Sequence, residues 1–490
     1  MRWVRIALLI LATVPLLGFL VAACVVFVRP ELMAPGPYHP RALYCRILGY
    51  DIHPWVRVDP ARSYTLRVWS TRWPIFKEGY GYDDLIDEVS EDFRKVYPGV
   101  HVEYVLLRLD EIGSAVAQAV ANSTPPDISI GPFDPSLVAS GFVVPLDMFM
   151  RGKEAKDATA DAFEPCALQS VSLGGRAWAW PAWTAVQSWA GNAQILREAG
   201  LDVEKVMTRG WSYDDVISMA RAVASRQAGV EERYRTYALV LDASSTSTLD
   251  TLMRAAGHGL VLDPDGRLAW QGPVLTSALS FLDRAREEKA FPKPVAKMGE
   301  QMLELFWTGR AAVIGPVGPG FARHVRERQA KIAEGDLPYA YKGVEPVLLP
   351  VPHPPGGHMA TCVWVSAASV FRTPGRGAAD ASRLAVEFAQ CLARKEALWL
   401  ARELAVVPAH LEDRKQVLGM IGPDGASERF LLATASSGTM CRHASASLSE
   451  KEAEIRERVI MPALMAFWKG DLDPAAVERF VVDRSKEYPE

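Results

Sequence analysis

The chain lacks the short patterns that announce most enzyme chemistries. No Gly-x-Ser-x-Gly, no phosphate-cradling glycine loop and no His-Glu-x-x-His occurs in its 490 residues, so nothing points to the hydrolases, nucleotide binders or zinc proteases that carry those motifs. The six cysteines, at positions 24, 45, 166, 362, 391 and 441, form no Cys-x-x-Cys pair and no zinc spacing. In an exported protein they allow one or two bridges, and nothing in their spacing fixes the pairing. His353 and His358 flank a Pro/Gly turn with no carboxylate or cysteine cluster beside them, which reads as a solvated loop and not a metal site. Basic residues are not clustered and the net charge is −4, so a nucleic-acid partner is not expected. Carboxylates are plentiful enough that counting alone does not exclude a glycosidase pair. The expectation is a non-enzyme with no cofactor and no metal.

The chain is long enough for two or three domains, and its first residues are distinctive. Arg2 and Arg5 precede an uncharged apolar run from Ile6 to Val28, long enough to cross a bilayer as a helix. Val21-Ala22-Ala23-Cys24 inside it resembles a bacterial lipobox, with Cys24 the residue to be lipidated, although Val25-Val26-Phe27-Val28 prolongs the apolar stretch. Residues 1–29 are therefore read as a membrane anchor or a lipoprotein signal, with the remainder outside the cytoplasm. Residues 30–62, rich in Pro, Tyr, His and Arg, read as a linker that spaces the folded body from the membrane.

The folded part begins with alternation. Tyr64, Leu66 and Val68 alternate with Thr65, Arg67 and Trp69, a strand pattern. Leu85, Val89 and Phe93 fall at helical spacing after Asp83, a plausible N-cap, and Val100 to Leu106 alternates again. A helix over Asp110–Asn122 and a short apolar strand ending in Gly131-Pro132-Phe133-Asp134 complete a strand–helix–strand–helix–strand series, which argues for a parallel sheet. Ligands sit beyond the carboxyl ends of such strands, where Ser70-Thr71-Arg72-Trp73 and Phe133-Asp134 fall. From Gly174 to Leu201 the chain places Trp178, Trp180, Trp183 and Trp189 around Pro181. A proline is not expected inside a central strand, so Pro181 reads as a crossing point between two lobes. Trp178 and Trp180 then belong to core, and Trp183 faces a cleft.

The ordered set LRVWS, DLIDEVSEDFRKVYPGVHVEYV, PPDISI and LVASGFVVPLD, followed by GRAWAWPAWTAVQSWAGNAQILREAGLD, resembles the family 1 extracellular solute-binding proteins, the group that includes maltose-binding protein. Trp211-Ser212-Tyr213-Asp214-Asp215 is similar to a helix start of that family, and Gly309-Arg310 through Gly315-Pro316 to its glycine–proline loop, with Val317 where a tryptophan is usual. Met461 to Trp468 is similar to a stretch carrying a Phe-Trp pair near the sugar in maltose-binding protein, and Ser449 with Glu452 reads as a capping box.

The resemblance implies an α/β, two-lobed periplasmic-binding-protein fold of type II behind the N-terminal segment. The first lobe would comprise 63–181 and 363–408, and the second 185–355 and 412–490. It implies a small-molecule ligand, most simply a carbohydrate, enclosed by hinge motion and passed to the permease subunits of an ABC importer. The expected ligand-binding residues are Trp73, Phe133, Asp134, Trp183, Gly315 and Trp364. Flat indoles suit sugar faces, and Asp134 would accept hydroxyl bonds. A tethered sensor, a binder of polyamine or glycerol phosphate, and a surface hydrolase are the alternatives.

Overall fold

The computed structural model describes residues 52, 54–73, 80–150, 159–293, 300–318, 320–336, 344–357, 359, 362–372, 379–421, 426–435, 439–440 and 446–488. The expected anchor with Cys24, most of the linker and His358 lie outside the described residues. No described helix is long and apolar enough to cross a membrane, and Cys166 and Cys391 are free thiols.

Parallel pairing starts the fold as the alternation demands. Strand β1 (Tyr64–Thr71) buries Tyr64, Leu66 and Val68 and pairs in parallel with β2 (Val100–Leu107). The helix between them, α1 (Tyr82–Val96), turns Leu85, Val89 and Phe93 inward, with acidic residues in its first turn and Arg94 and Lys95 in its last, complementing the helix dipole. Helix α2 (Leu109–Ala121) then leads to β3 (Ile128–Pro132), which pairs in parallel with β1 on its other side.

The next strand overturns one expectation. Strand β4 (Ala179–Asn192) runs unbroken through Pro181 in the middle of the sheet. It is tolerated at a bulge: Trp183 pairs with Ser366 and Pro181 with Ala367, so Ala182 is the extra residue. The Ala182 carbonyl is satisfied by the Ala409 N–H at 2.9 Å.

Strands β5 (Tyr237–Leu241), β6 (Ala311–Val317), β7 (Pro346–Leu349), β8 (Cys362–Val370), β9 (Val407–Pro408) and β10 (Thr439–Met440) complete a sheet of ten among the described residues. Its main path is β2-β1-β3-β8-β4-β6-β5, with β7 and β9 also on β4 and β10 on β8. The early residues of β4 pair with β8 and the late ones with β6 and β7. One long strand therefore joins the two halves of an α/β fold. Its last residue, Asn192, caps the following helix by accepting the Gln194 N–H at 3.2 Å, and Ser212 with Asp215 forms the capping box of helix Tyr213–Arg226.

Three apolar clusters result. The first holds Leu66, Val68, Phe93, Trp180 and Trp183 against α3 (Ala379–Leu404), and extends to Trp307, Phe321 and Phe430. The second gathers Trp189, Trp211, Leu239, Trp270 and Phe467. The third, on the other face of the first strands, includes Ile112, Phe133 and Trp178. Phe467 and Trp468, expected near a ligand by resemblance, are core residues here.

Candidate ligand-binding cleft

Strand directions define where a ligand can sit. Strands β1 and β3 run with β4, because β8 is antiparallel to both β3 and β4. Strands β5 and β6 run against β4. The carboxyl ends of the two strand sets therefore point at each other along β4. The first set ends level with Trp183, through the row Pro132–Ser366–Trp183, and the second ends level with Ser188, paired with Val317. The five residue steps from Trp183 to Ser188 span roughly 17 Å of strand, bridged by β4 and by Cys362 to Val365 of β8. Carboxyl ends converging on a crossover are where α/β folds bind ligands.

Three of the expected residues meet at this place. The ring centroids of Trp73 and Trp183 lie 5.1 Å apart, those of Trp183 and Trp364 5.0 Å, and those of Trp73 and Trp364 6.2 Å, all edge-to-face. Trp73 and Trp364 remain partly exposed, while Trp183 is 0% exposed. Trp183, expected from the sequence to face the ligand, is thus fully buried in this structure. Its ring packs edge-to-face against those of Trp73 and Trp364.

What holds Trp183 is a buried carboxyl. Its Nε1–H donates to Glu396 Oε1 at 2.7 Å, and the Tyr82 hydroxyl donates to Glu396 Oε2. Tyr82 also shares a 2.7 Å bond with Ser70 Oγ near the end of β1. Burial pushes the Glu396 carboxyl up to about 7, against the downward pull of the Trp183 and Tyr82 hydrogen bonds. Sequence reading missed Glu396, yet a signal was there. Leu392, Glu396 and Leu400 fall at i, i+4 and i+8, so this Glu interrupts the apolar stripe of α3.

The remaining expected residues are spread around the gap. Phe133 is 5% exposed and packs in the third cluster, on the opposite side of the sheet from the tryptophans. Asp134 caps the turn Pro135–Ser140, its Oδ1 accepting the Ser136 N–H at 2.8 Å; its visible work is structural. Gly315 pairs with Leu241 and supplies its carbonyl to the Asp242 N–H at 2.9 Å. A Cβ on Gly315 would lie 2.6 Å from the buried ring of Trp189, so this position serves packing. Gly315→Ala is expected to cost about 1–3 kcal/mol by overpacking, read as a lowered melting temperature; an unchanged melt would refute the close approach.

Sequence reading also missed the segment Asp242-Ala243-Ser244-Ser245-Thr246, placed at the gap by β5. Asp242, 1% exposed, accepts the Ser244 N–H at 2.8 Å, the Ser244 hydroxyl at 2.7 Å and the Ser245 hydroxyl. An apolar strand running into Asp-Ala and five successive hydroxyl residues, Ser244 to Thr248, was its sequence trace. His353 is partly buried, its Nδ1 3.0 Å from the Pro354 carbonyl. Among the described residues no His, Cys, Asp and Glu group could hold a metal.

This architecture has known counterparts. Residues 73–398 match the pattern of the family described as bacterial extracellular solute-binding protein. The chain belongs to that family. No curated protein matches it, but many solved structures do. This solute-binding protein superposes on the sugar-binding protein MalE from Xanthomonas citri with a TM-score of 0.67 at 17% identity, over 86% of this chain and 97% of that one. The cyclic α-maltosyl-1,6-maltose binding protein of Arthrobacter globiformis gives 0.64 at 14% identity, over 87% and 100%. The GacH receptor of Streptomyces glaucescens, solved unliganded and with acarbose, gives 0.63 at 17%, over 87% and 98%. At such identities the likeness establishes the two-lobed α/β solute-binding fold. The family and these neighbours are binding proteins, not enzymes.

Proposed function

We propose that this solute-binding protein captures a small solute, above all a carbohydrate, between its two lobes, and delivers it by hinge closure to the permease subunits of an ABC importer. The observation that carries this reading is the convergence of Trp73 and Trp364, both partly exposed and backed by Trp183, on the gap between facing carboxyl ends. Indole faces match the apolar faces of sugar rings. Polar groups for hydroxyls are at hand as well: Trp73 Nε1, Thr184 Oγ1 and Ser366 Oγ are buried with no hydrogen-bond partner among the described residues. The contact set under this proposal is Trp73, Trp364, Asp134 and the backbone at Gly315, with Phe133 and Trp183 as support. Under this proposal the lobes are 63–181 with 363–408 and 185–355 with 412–490. The apolar run after Arg2 and Arg5 tethers the body on the extracytoplasmic face, either as an uncleaved helix or through a lipid on Cys24. The sugar ligands named for MalE, GacH and the Arthrobacter protein are consistent with this substrate class.

A thermal-shift screen of saccharides, polyamines and glycerol phosphates tests the reading. A saccharide at a hundred times its dissociation constant stabilises the folded state by about 2.7 kcal/mol, a shift of several degrees. Replacing Trp73 or Trp364 by Ala removes about 1.5–3 kcal/mol of ring burial, hence roughly 10- to 100-fold in affinity. A shift from another solute class with none from any saccharide would sink the carbohydrate assignment.

A further inference from the structure

Glu396 has no ordinary reason to be where it is. It lies wholly buried on α3, and its carboxyl joins two elements besides its own: α1 through Tyr82 and the crossing strand β4 through Trp183. Tyr82 extends the chain of bonds to Ser70 on β1, two residues before Arg72-Trp73. Among the described residues no cation answers the carboxylate. The basic side chains nearest in sequence bond elsewhere: Lys395 to Glu88 of α1 at 2.6 Å, and Arg394 to Asp413 on the helix Leu411–Met420 at 2.6 Å. Further along, Arg323, on the helix Phe321–Glu334, bonds Glu403 at 3.1 Å. At the other end of α3, Tyr64 of β1 donates to Asp380, which also pairs with Arg62. His410, beside β9, lies 3.7 Å from Asp413.

We infer that Glu396 is a proton-linked positioning residue: the charge state of its carboxyl sets the seat of Trp183, and through it the arrangement of Trp73 and Trp364. Both charge states can be hydrogen-bonded, but differently. In the neutral acid the Glu396 O–H donates to the Tyr82 oxygen, Tyr82 donates to Ser70, and Trp183 donates to the remaining carboxyl oxygen. In the carboxylate, Tyr82 turns to donate to Glu396, Ser70 donates to Tyr82, and Trp183 holds a full charge instead of a carbonyl. Charged hydrogen bonds are shorter and stronger, so ionisation draws the indole toward α3 and loosens its edge-to-face contacts. Burial without a counter-charge places this change near neutrality. The acid's folded pKa is raised, so its share of stability is complete below the unfolded value and lost as pH climbs through about 7.

The bearing on capture rests on the cleft proposed above, whereas the test uses no ligand, so a failed solute screen and a failed titration are separate results. Near-ultraviolet circular dichroism of the purified protein, followed from roughly pH 5.5 to 8.5, reads the coupled indoles directly. The wild type should give a sigmoidal change with a midpoint near 7. Glu396→Gln keeps an oxygen for Trp183 and an amide N–H for the Tyr82 oxygen, and should lose the transition. Tyr82→Phe removes one bond that stabilises the charge and should move the midpoint upward. A flat wild-type titration, or a transition that survives in Glu396→Gln, overturns the inference. Should Glu396→Gln fail to fold, the Tyr82→Phe midpoint decides: an upward shift supports the assignment, and an unmoved or lowered one refutes it.

Discussion

Trp183→Ala should lower stability by about 4 kcal/mol and the melting temperature by several degrees, with or without ligand. The ring is 0% exposed and touches Trp73 and Trp364 on its cleft side. Its Nε1–H is one of two donors on the buried Glu396 carboxyl. Truncation therefore opens a cavity the size of an indole and strips a hydrogen bond from a buried acid, two costs of the same sign. Trp183→Phe separates them. It keeps much of the ring volume and forfeits only the bond, so about 1–3 kcal/mol is expected. Trp364→Ala should cost less than Trp183→Ala, because Trp364 is only partly buried, while its effect on ligand affinity should be the larger of the two. Thermal or chemical melts of the three variants check the ranking. If Trp183→Ala melted with the wild type, the ring would not be core, and the original reading of Trp183 as a ligand face would return.

The burial of Trp183 has a definite physical origin. Strict alternation from Trp180 would send Ala182 and Thr184 to one face and Pro181 and Trp183 to the other. The bulge at Ala182 breaks that period, so Trp180 and Trp183 both enter the first cluster. Nothing local signals such a bulge except the proline, which by itself reads equally as a crossing point. By contrast, β1, β2 and helix α1 were legible, because each carries its own period of apolar residues. The convergence of Trp73, Trp183 and Trp364 was legible only through resemblance. These residues are far apart in the chain and meet through the antiparallel pairing of β4 with β8, which no local pattern encodes. The sequence pattern does not separate a turn role for Asp134, whose Oδ1 accepts the Ser136 N–H, from a ligand role, and Asp242 is not legible because a strand-end aspartate followed by serines looks like any loop.

Glu452 makes the same point more sharply, and it carries the second large effect. Ser449 and Glu452 have capping-box spacing, but the helix Ala446–Ile455 begins earlier, leaving both inside it. Glu452 Oε2 instead accepts the N–H groups of Val261 at 3.0 Å and Leu262 at 3.2 Å, nearly two hundred residues away in sequence. Its other oxygen takes Arg456 Nη2 at 2.8 Å and Nε at 2.9 Å, while Arg456 Nη1 bonds Asp250. The guanidinium also sits 4.9 Å from the ring centroid of Trp270, itself fully buried. Arg456→Met should therefore cost about 3 kcal/mol or more. The loss comes less from the vanished bonds than from two carboxylates left in a poorly solvated place without their cation. Neutralising both acids should then rescue the variant. Combining Arg456→Met with Asp250→Asn and Glu452→Gln neutralises both acids and keeps an amide oxygen for the Val261 and Leu262 N–H groups. The triple variant should melt above the single one, as replaced buried ion pairs can. Urea melts decide between the two accounts. A triple variant no more stable than Arg456→Met would mean that the arginine acts through packing on Trp270 alone, and that the charges around it are incidental to the second core.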